Sequence, residues 1–118
     1  MDQELKDHWS ILIRPLFKDN AYFAVKDFKD HFEAEVFWEL GTDESRPRKP
    51  SKTVRIIVPW ETISDYQNKS ADGQNNDDNK LIHFIRAKLK AFEPDHENPR
   101  SAPPPEVEWI AITDVMNS

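Results

Sequence analysis

The sequence predicts an α+β fold in which helices pack on one face of a four-stranded sheet. Three observations support this prediction: a strictly alternating segment, further β-rich segments on either side of it, and amphipathic helical segments before and after them. The predicted order is an N-terminal helix, a three-stranded antiparallel meander, one or two helices and a C-terminal strand. Consecutive strands followed by helices are typical of this fold class.

The strongest pattern is the segment FEAEVFWEL at residues 32–40. Its apolar residues Phe32, Ala34, Val36, Trp38 and Leu40 alternate with Glu33, Glu35, Phe37 and Glu39. Alternation with a period of two indicates a strand with one buried and one solvated face. Burial of each large apolar side chain contributes about 1.5–3 kcal/mol. This strand is therefore expected to be the centre of the sheet, with its glutamates on a solvated face.

The N-terminal segment predicts a helix and then a strand. Apolar residues recur at helical spacing over residues 2–13, and Pro15 is expected to end that helix. Residues 21–28 alternate as a strand does. The short polar break at residues 29–30 predicts a hairpin between this strand and the central one.

The C-terminal half predicts two more strands and two helices. They are a β-branched strand at 52–58, a short helix at 60–67, a longer helix at 79–92 and a last strand at 106–113. Asp77 or Asp78 is expected to cap the longer helix. The β-branched strand is apolar on both faces, which favours a place inside the sheet. The last strand is expected to pair with one edge of the meander, in parallel after a long crossover.

The predicted organisation is a single domain over residues 1–114 with a frayed tail at 115–118. Polar loops are predicted at 41–51 and 68–79, and a proline-rich extended connector at 93–105.

Composition limits the function classes. The 118 residues carry a net charge of −6 and contain no cysteine, which excludes disulfides, thiolate zinc sites and a cysteine nucleophile. No apolar stretch approaches the roughly 20 residues of a membrane span, and the first residues lack the apolar run of a signal peptide. We expect a small, soluble, acidic, cytoplasmic protein.

No catalytic, cofactor-binding or metal-binding residue is predicted. His8, His31, His83 and His96 show no metal-ligand spacing. With only two glycines, the chain has neither a phosphate-binding loop nor a G-x-S-x-G turn. We therefore expect a protein that is not an enzyme and needs no cofactor.

Apolar side chains on the glutamate side of the central strand indicate a binding surface. Phe37 points with the glutamates, and Tyr22 and Ile57 are expected on the same face, with either Trp109 or Ile110. An apolar patch on an open sheet face is typical of a site for another protein or for a second copy of the chain. The alternative is that the tail or the proline-rich connector covers it. The leading prediction is a non-enzymatic protein-interaction module, such as a chaperone, inhibitor or regulator.

Two basic segments give an alternative function. Residues 46–55 and 80–90 contain no acidic residue. The residues that would carry this function are Arg46, Arg48, Lys49, Arg55, Arg86 and Lys88. If the fold brings the two segments together, they form a basic patch suited to nucleic acid or phosphate.

The order of a helix, three strands and a helix resembles that of double-stranded-RNA-binding domains. Its beginning is similar to that of the bacterial secretion chaperones. Asp77, Asp78 and Asn79 stand where the first class would have a basic cluster, whereas the second class is small, acidic and dimeric. The resemblance is one of element order and implies no site residues.

Overall fold

The computed structural model describes residues 3–40, 49–99 and 102–111 and has the predicted α+β architecture. The helices are α1 (Gln3–Ile13), α2 (Trp60–Gln67) and α3 (Ala71–Lys90). The strands are β1 (Tyr22–Asp27), β2 (His31–Phe37), β3 (Glu39–Leu40), β4 (Lys49–Pro50), β5 (Thr53–Pro59) and β6 (Glu106–Ile110).

The main sheet has four strands in the order β1-β2-β5-β6. The pairs β1–β2 and β2–β5 are antiparallel, and β5–β6 is parallel. The predicted meander, the interior position of the β-branched strand and the parallel pairing of the last strand are all confirmed. Strands β3 and β4 form a separate two-stranded sheet.

The core lies between the helices and one face of the sheet. Because side chains alternate along a strand, this face is formed by Phe32, Ala34, Val36, Val54, Ile56 and Val58, all of them buried. Trp9 from α1 packs edge-to-face against Phe32, with ring centroids 5.4 Å apart, and against Tyr66 at 5.2 Å. Leu81 and Ile85 attach α3 to the same core. The three helices therefore form one layer over the sheet.

Proline ends α1 as predicted. The α-helix stops at Ile13, and the chain continues as a short 3-10 helix, Arg14–Leu16, that contains Pro15. Pro15 lacks the backbone N–H that an α-helix would use at this position.

The start of α3 corrects the predicted loop at 68–79. The helix begins at Ala71, and the Ser70 hydroxyl caps it by accepting a hydrogen bond from the Gly73 N–H at 3.3 Å. Asp77 and Asp78, the expected caps, lie inside the helix and are buried. Asp78 binds His8 on α1 and Tyr66 on α2, and Asp77 binds Lys69 in the turn between α2 and α3. These partners stabilise a helix in a segment whose polar composition by itself indicates a loop.

The central strand is shorter than predicted, because β2 ends at Phe37. Trp38 instead exchanges two hydrogen bonds with Ser51: its N–H donates to the Ser51 hydroxyl at 3.0 Å, and its carbonyl accepts from the Ser51 N–H at 2.7 Å. The chain then pairs Leu40 with Lys49 in the small β3–β4 sheet. Of the predicted polar loop at 41–51, residues 41–48 lie outside the described residues, and Lys49 and Pro50 form a strand.

The described part of the proline-rich connector has no helix or strand, as predicted, and it is tied to the sheet. The Lys52 N–H donates to the Pro94 carbonyl at 2.9 Å, and His96 Nε2 lies 2.9 Å from the Pro50 carbonyl oxygen. The predicted tail at 115–118 lies outside the described residues.

Candidate functional site

The face of the main sheet opposite the helices is called the open face. Strand register arranges its side chains in rows across the sheet. The first row is Tyr22 and Phe37, the second is Ala24, Glu35, Arg55 and Glu108, and the third is Lys26, Glu33, Ile57 and Ile110. The apolar pairs thus lie at opposite corners of the face, Tyr22 and Phe37 on β1 and β2 and Ile57 and Ile110 on β5 and β6, with charged side chains between them.

An aromatic pair occupies one end of the open face. Tyr22 and Phe37 are cross-strand partners whose rings stack with centroids 4.6 Å apart and planes 24° apart. Tyr22 is 48% exposed and Phe37 is half-buried. The stack holds both rings in place and leaves aromatic surface in contact with solvent.

An aliphatic pair occupies the third row. Ile57 is half-buried and lies beside Ile110, which is 47% exposed. Together with the aromatic pair, this places Tyr22, Phe37 and Ile57, the predicted partner-binding residues, on one face. Their role in binding stays a prediction.

Glu33 corrects the interpretation of this face as solvated. It is only 2% exposed. Its Oε1 accepts a hydrogen bond from Arg55 Nε at 3.0 Å and a second bond from Arg55 Nη2. A buried carboxylate is costly unless it is paired and hydrogen-bonded, and Arg55 provides both. Glu35 is partly exposed and forms a looser pair with Lys26, with an N–O distance of 3.4 Å.

Arg55 also joins β5 to the edge strand β6. Its Nη1 lies 3.3 Å from Glu106 Oε2 and 3.5 Å from Glu108 Oε1. The bond to Glu33 raises the pKa of Arg55, with smaller contributions from the two β6 glutamates, while burial opposes the rise. One permanently charged guanidinium therefore pairs with three carboxylates. Because the carboxylates outnumber the cation, the centre of the open face is acidic.

A histidine extends this network to the β1–β2 turn. His31 Nδ1 lies 2.7 Å from Asp30 Oδ1, and His31 Nε2 lies 3.7 Å from Glu33 Oε1. The hydrogen bond with His31 is the main cause that lowers the pKa of Asp30. The imidazole stacks on the exposed ring of Phe28, with centroids 4.6 Å apart. This end of the sheet is thus both aromatic and acidic.

The two basic segments do not converge within the described residues. Arg55 projects from the open face, whereas Arg86 and Lys88 are exposed residues of α3, on the helical side of the sheet. Lys49 bonds to the carbonyl of His96 and lies 3.4 Å from Asp95 Oδ1. The other two residues of the predicted patch, Arg46 and Arg48, lie outside the described residues. Nucleic-acid binding stays a prediction.

The sequence does not predict a polar cluster that lies between the helices. Asp78 on α3 has Oδ2 2.8 Å from His8 Nε2 and accepts a hydrogen bond from the Tyr66 hydroxyl at 3.0 Å. Asp77 pairs with Lys69 at 2.7 Å. Burial, followed by the bond to Asp78, raises the pKa of Tyr66. His8 and Asp78 are 70 positions apart, so local spacing gives no signal of their pairing.

A small cavity adjoins this cluster, lined by Trp9, Tyr66, Asp77 and Asp78 among others. It has room for about one water molecule. The indole Nε1 of Trp9 is buried and has no hydrogen-bond partner among the described residues. In the part of the chain that the structure describes, no group of three or more His, Cys, Asp or Glu residues is placed to hold a metal ion. No helix among the described residues is long and apolar enough to cross a membrane.

No protein-family model matches the chain, and neither a curated protein nor a solved structure matches it significantly.

Proposed function

We propose that the protein is a non-enzymatic interaction module that binds another protein through the open face of its sheet. The observation that carries this proposal is the stacked pair of Tyr22 and Phe37, which presents exposed aromatic surface on a sheet face that no described helix covers. Aromatic residues are enriched where protein interfaces gain most of their binding energy. Because the rings are already stacked, binding costs little side-chain ordering.

The charges of the open face support a partner that is basic at the centre of its binding surface and apolar toward the margins. Glu106 and Glu108 are 58% and 52% exposed at their side chains, and among the described residues both pair with Arg55, which also pairs with Glu33. Lysine or arginine side chains of a partner would complement these carboxylates. Two copies packed face to face would bring the same acidic rows together, so a different protein is favoured over a homodimer.

The test is affinity capture of the tagged protein from its native lysate, with and without nuclease. We compare Phe37→Asp with Ile11→Asp, which places the same charge on α1 at a residue that is 74% exposed. The wild type and the α1 variant should retain a stoichiometric protein partner after nuclease treatment, and Phe37→Asp should lose it. Thermal unfolding of both variants checks that the fold is intact.

Two results would contradict the proposal. Equal capture by a folded Phe37→Asp variant would show that the open face is not the binding surface. Recovery that disappears with nuclease and weakens steeply with salt would instead favour nucleic-acid binding. Arg48 and Arg86 would then be the residues to replace.

A further inference from the structure

The outer edge of β6 carries three residues whose backbone groups point away from the sheet. The Thr53 N–H donates to the Pro105 carbonyl at 2.9 Å, and the Ala111 N–H donates to the Ile57 carbonyl at 2.8 Å. Odd-numbered residues of this segment therefore direct their N–H and C=O groups toward β5. By alternation, the backbone groups of Glu106, Glu108 and Ile110 point outward.

This edge is unpaired among the described residues. No strand lies beyond β6 in the sheet order, and no backbone bond from residues 3–40, 49–99 or 102–111 reaches the outward groups of β6. Unpaired edges are templates for an added strand.

We propose that the partner adds an extended segment to the outer edge of β6 as a fifth strand of the main sheet. That segment places Lys or Arg beside Glu106 and Glu108, and an apolar side chain beside Ile110. The inference rests on the proposed function and deepens it, because these three side chains belong to the open face. Backbone hydrogen bonds then supply affinity and the alternate side chains supply specificity, as in other cases of strand addition.

Charge decides between a basic segment and a second copy of β6. Opposite charges on adjacent strands stabilise their pairing, and like charges directly across from each other destabilise it. If two β6 strands paired antiparallel, the exposed glutamates of one copy would face those of the other. A basic segment from a different protein meets no such repulsion and relieves the excess of carboxylates around Arg55.

The first experiment uses a synthetic peptide and the whole protein. The probe is the acetylated and amidated peptide TKVKVIT, and the charge control is TEVEVIT. In a titration followed by amide NMR, the lysine peptide should shift the signals of residues 106–110 saturably, and the glutamate peptide should not. The absence of shifts in residues 106–110 with the lysine peptide would overturn the inference.

Two substitutions at one position separate charge from backbone bonding. Glu108→Gln removes one carboxylate and should weaken peptide binding by up to about fivefold, the effect of one cross-strand ion pair. Glu108→Pro also removes an outward N–H that the sheet does not use, and proline is tolerated at such edge positions. It should weaken binding by a further factor of about two to ten, the value of one hydrogen bond.

Equal affinities of the two Glu108 variants would overturn strand addition. If the proline variant fails to fold, binding of the wild type is measured with a TKVKVIT peptide that is N-methylated at the amides that would face β6. The methyl groups remove the peptide donors that strand addition would use. Unweakened binding of that peptide would equally overturn it. Self-association of the wild type that Glu108→Pro abolishes would overturn it in favour of a second copy.

Failure of this inference differs from failure of the proposed function. If partner capture depends on Phe37 but not on the outward N–H of Glu108, the open face binds the partner without an added strand. If capture is independent of Phe37 while the lysine peptide still shifts residues 106–110, the edge binds a strand but the open face is not the main interface.

Discussion

Arg55 binds Glu33 through two guanidinium nitrogens, although neither residue lies in the hydrophobic core. Glu33 is buried on the face of the sheet that no described helix covers. Its charge is balanced by Arg55. The centre of the open face therefore contains a buried carboxylate whose ion pair joins two adjacent strands.

Removing the cation of this pair should destabilise the fold. Breaking a buried ion pair by deleting one partner costs about 3–5 kcal/mol. Because the Arg55 side chain is 27% exposed, water compensates in part, and we expect about 2–3 kcal/mol for Arg55→Met. Urea unfolding at neutral pH measures this loss as a lower midpoint with an unchanged slope.

The matched control is Lys26→Met, which breaks the more exposed pair with Glu35. It should cost no more than about 1 kcal/mol. The double variant Arg55→Met with Glu33→Met should recover most of the stability, because the carboxylates that lose Arg55, Glu106 and Glu108, are exposed and no buried charge is left unpaired. If Arg55→Met costs no more than the control, the Glu33 pair does not hold the face together.

The Tyr66 hydroxyl should stabilise the helical layer through Asp78. Tyr66→Phe removes the donor at 3.0 Å and leaves the buried carboxylate with His8 alone. The expected cost at neutral pH is about 1–3 kcal/mol, the penalty for an incompletely satisfied buried acceptor. Urea unfolding provides the measurement, with Tyr22→Phe as the control, because no hydrogen bond of the Tyr22 hydroxyl is described. Equal midpoints for the two variants would contradict this role.

The same tyrosine should make stability fall at alkaline pH. Its pKa in the folded protein is raised above the ordinary value of about 10. Above that pH the unfolded chain loses the proton and the folded protein keeps it, so the free energy of unfolding decreases with rising pH. The contribution is intact below pH of about 10 and is lost progressively above it.

Tyrosinate absorbance tests this directly in Tyr22→Phe, because the chain contains two tyrosines and this variant retains only Tyr66. We expect no tyrosinate signal in the folded variant near pH 10, and a signal that appears together with unfolding at higher pH. Ionisation with a midpoint near pH 10 while the fold persists would show that burial and Asp78 do not raise this pKa.

The alternation of the central strand was sufficient to predict which of its residues share a face. The position of Phe37 alone predicts that it lies on the side of the glutamates, and it lies there beside Tyr22. Pro15 likewise predicted the end of α1. These features are local: sterics and side-chain periodicity act within a few residues, so the sequence shows them directly.

Structural features that depend on contacts between residues far apart in the chain are not predicted from the sequence. The burial of Glu33 requires Arg55, which is 22 positions away. Asp77 and Asp78 lie inside α3 with their carboxylates bound to Lys69, Tyr66 and His8. A single sequence shows the charges but not which of them meet. Alternation alone therefore predicts solvated glutamates, and polar composition alone predicts a loop where α3 begins.

The beginning of α3 can be tested with two small substitutions of opposite expected effect. Ser70→Ala removes the hydroxyl that caps the helix and should lower stability by about 1 kcal/mol. Asn75→Ala replaces an exposed residue within the first turns and should raise stability by a few tenths of a kcal/mol, because alanine is the better helix former. Chemical unfolding resolves the opposite signs even where the individual shifts are small. In a mobile loop neither side chain would contribute to the free energy of unfolding. Two changes near zero would therefore support a loop over residues 68–79, with α3 beginning after it.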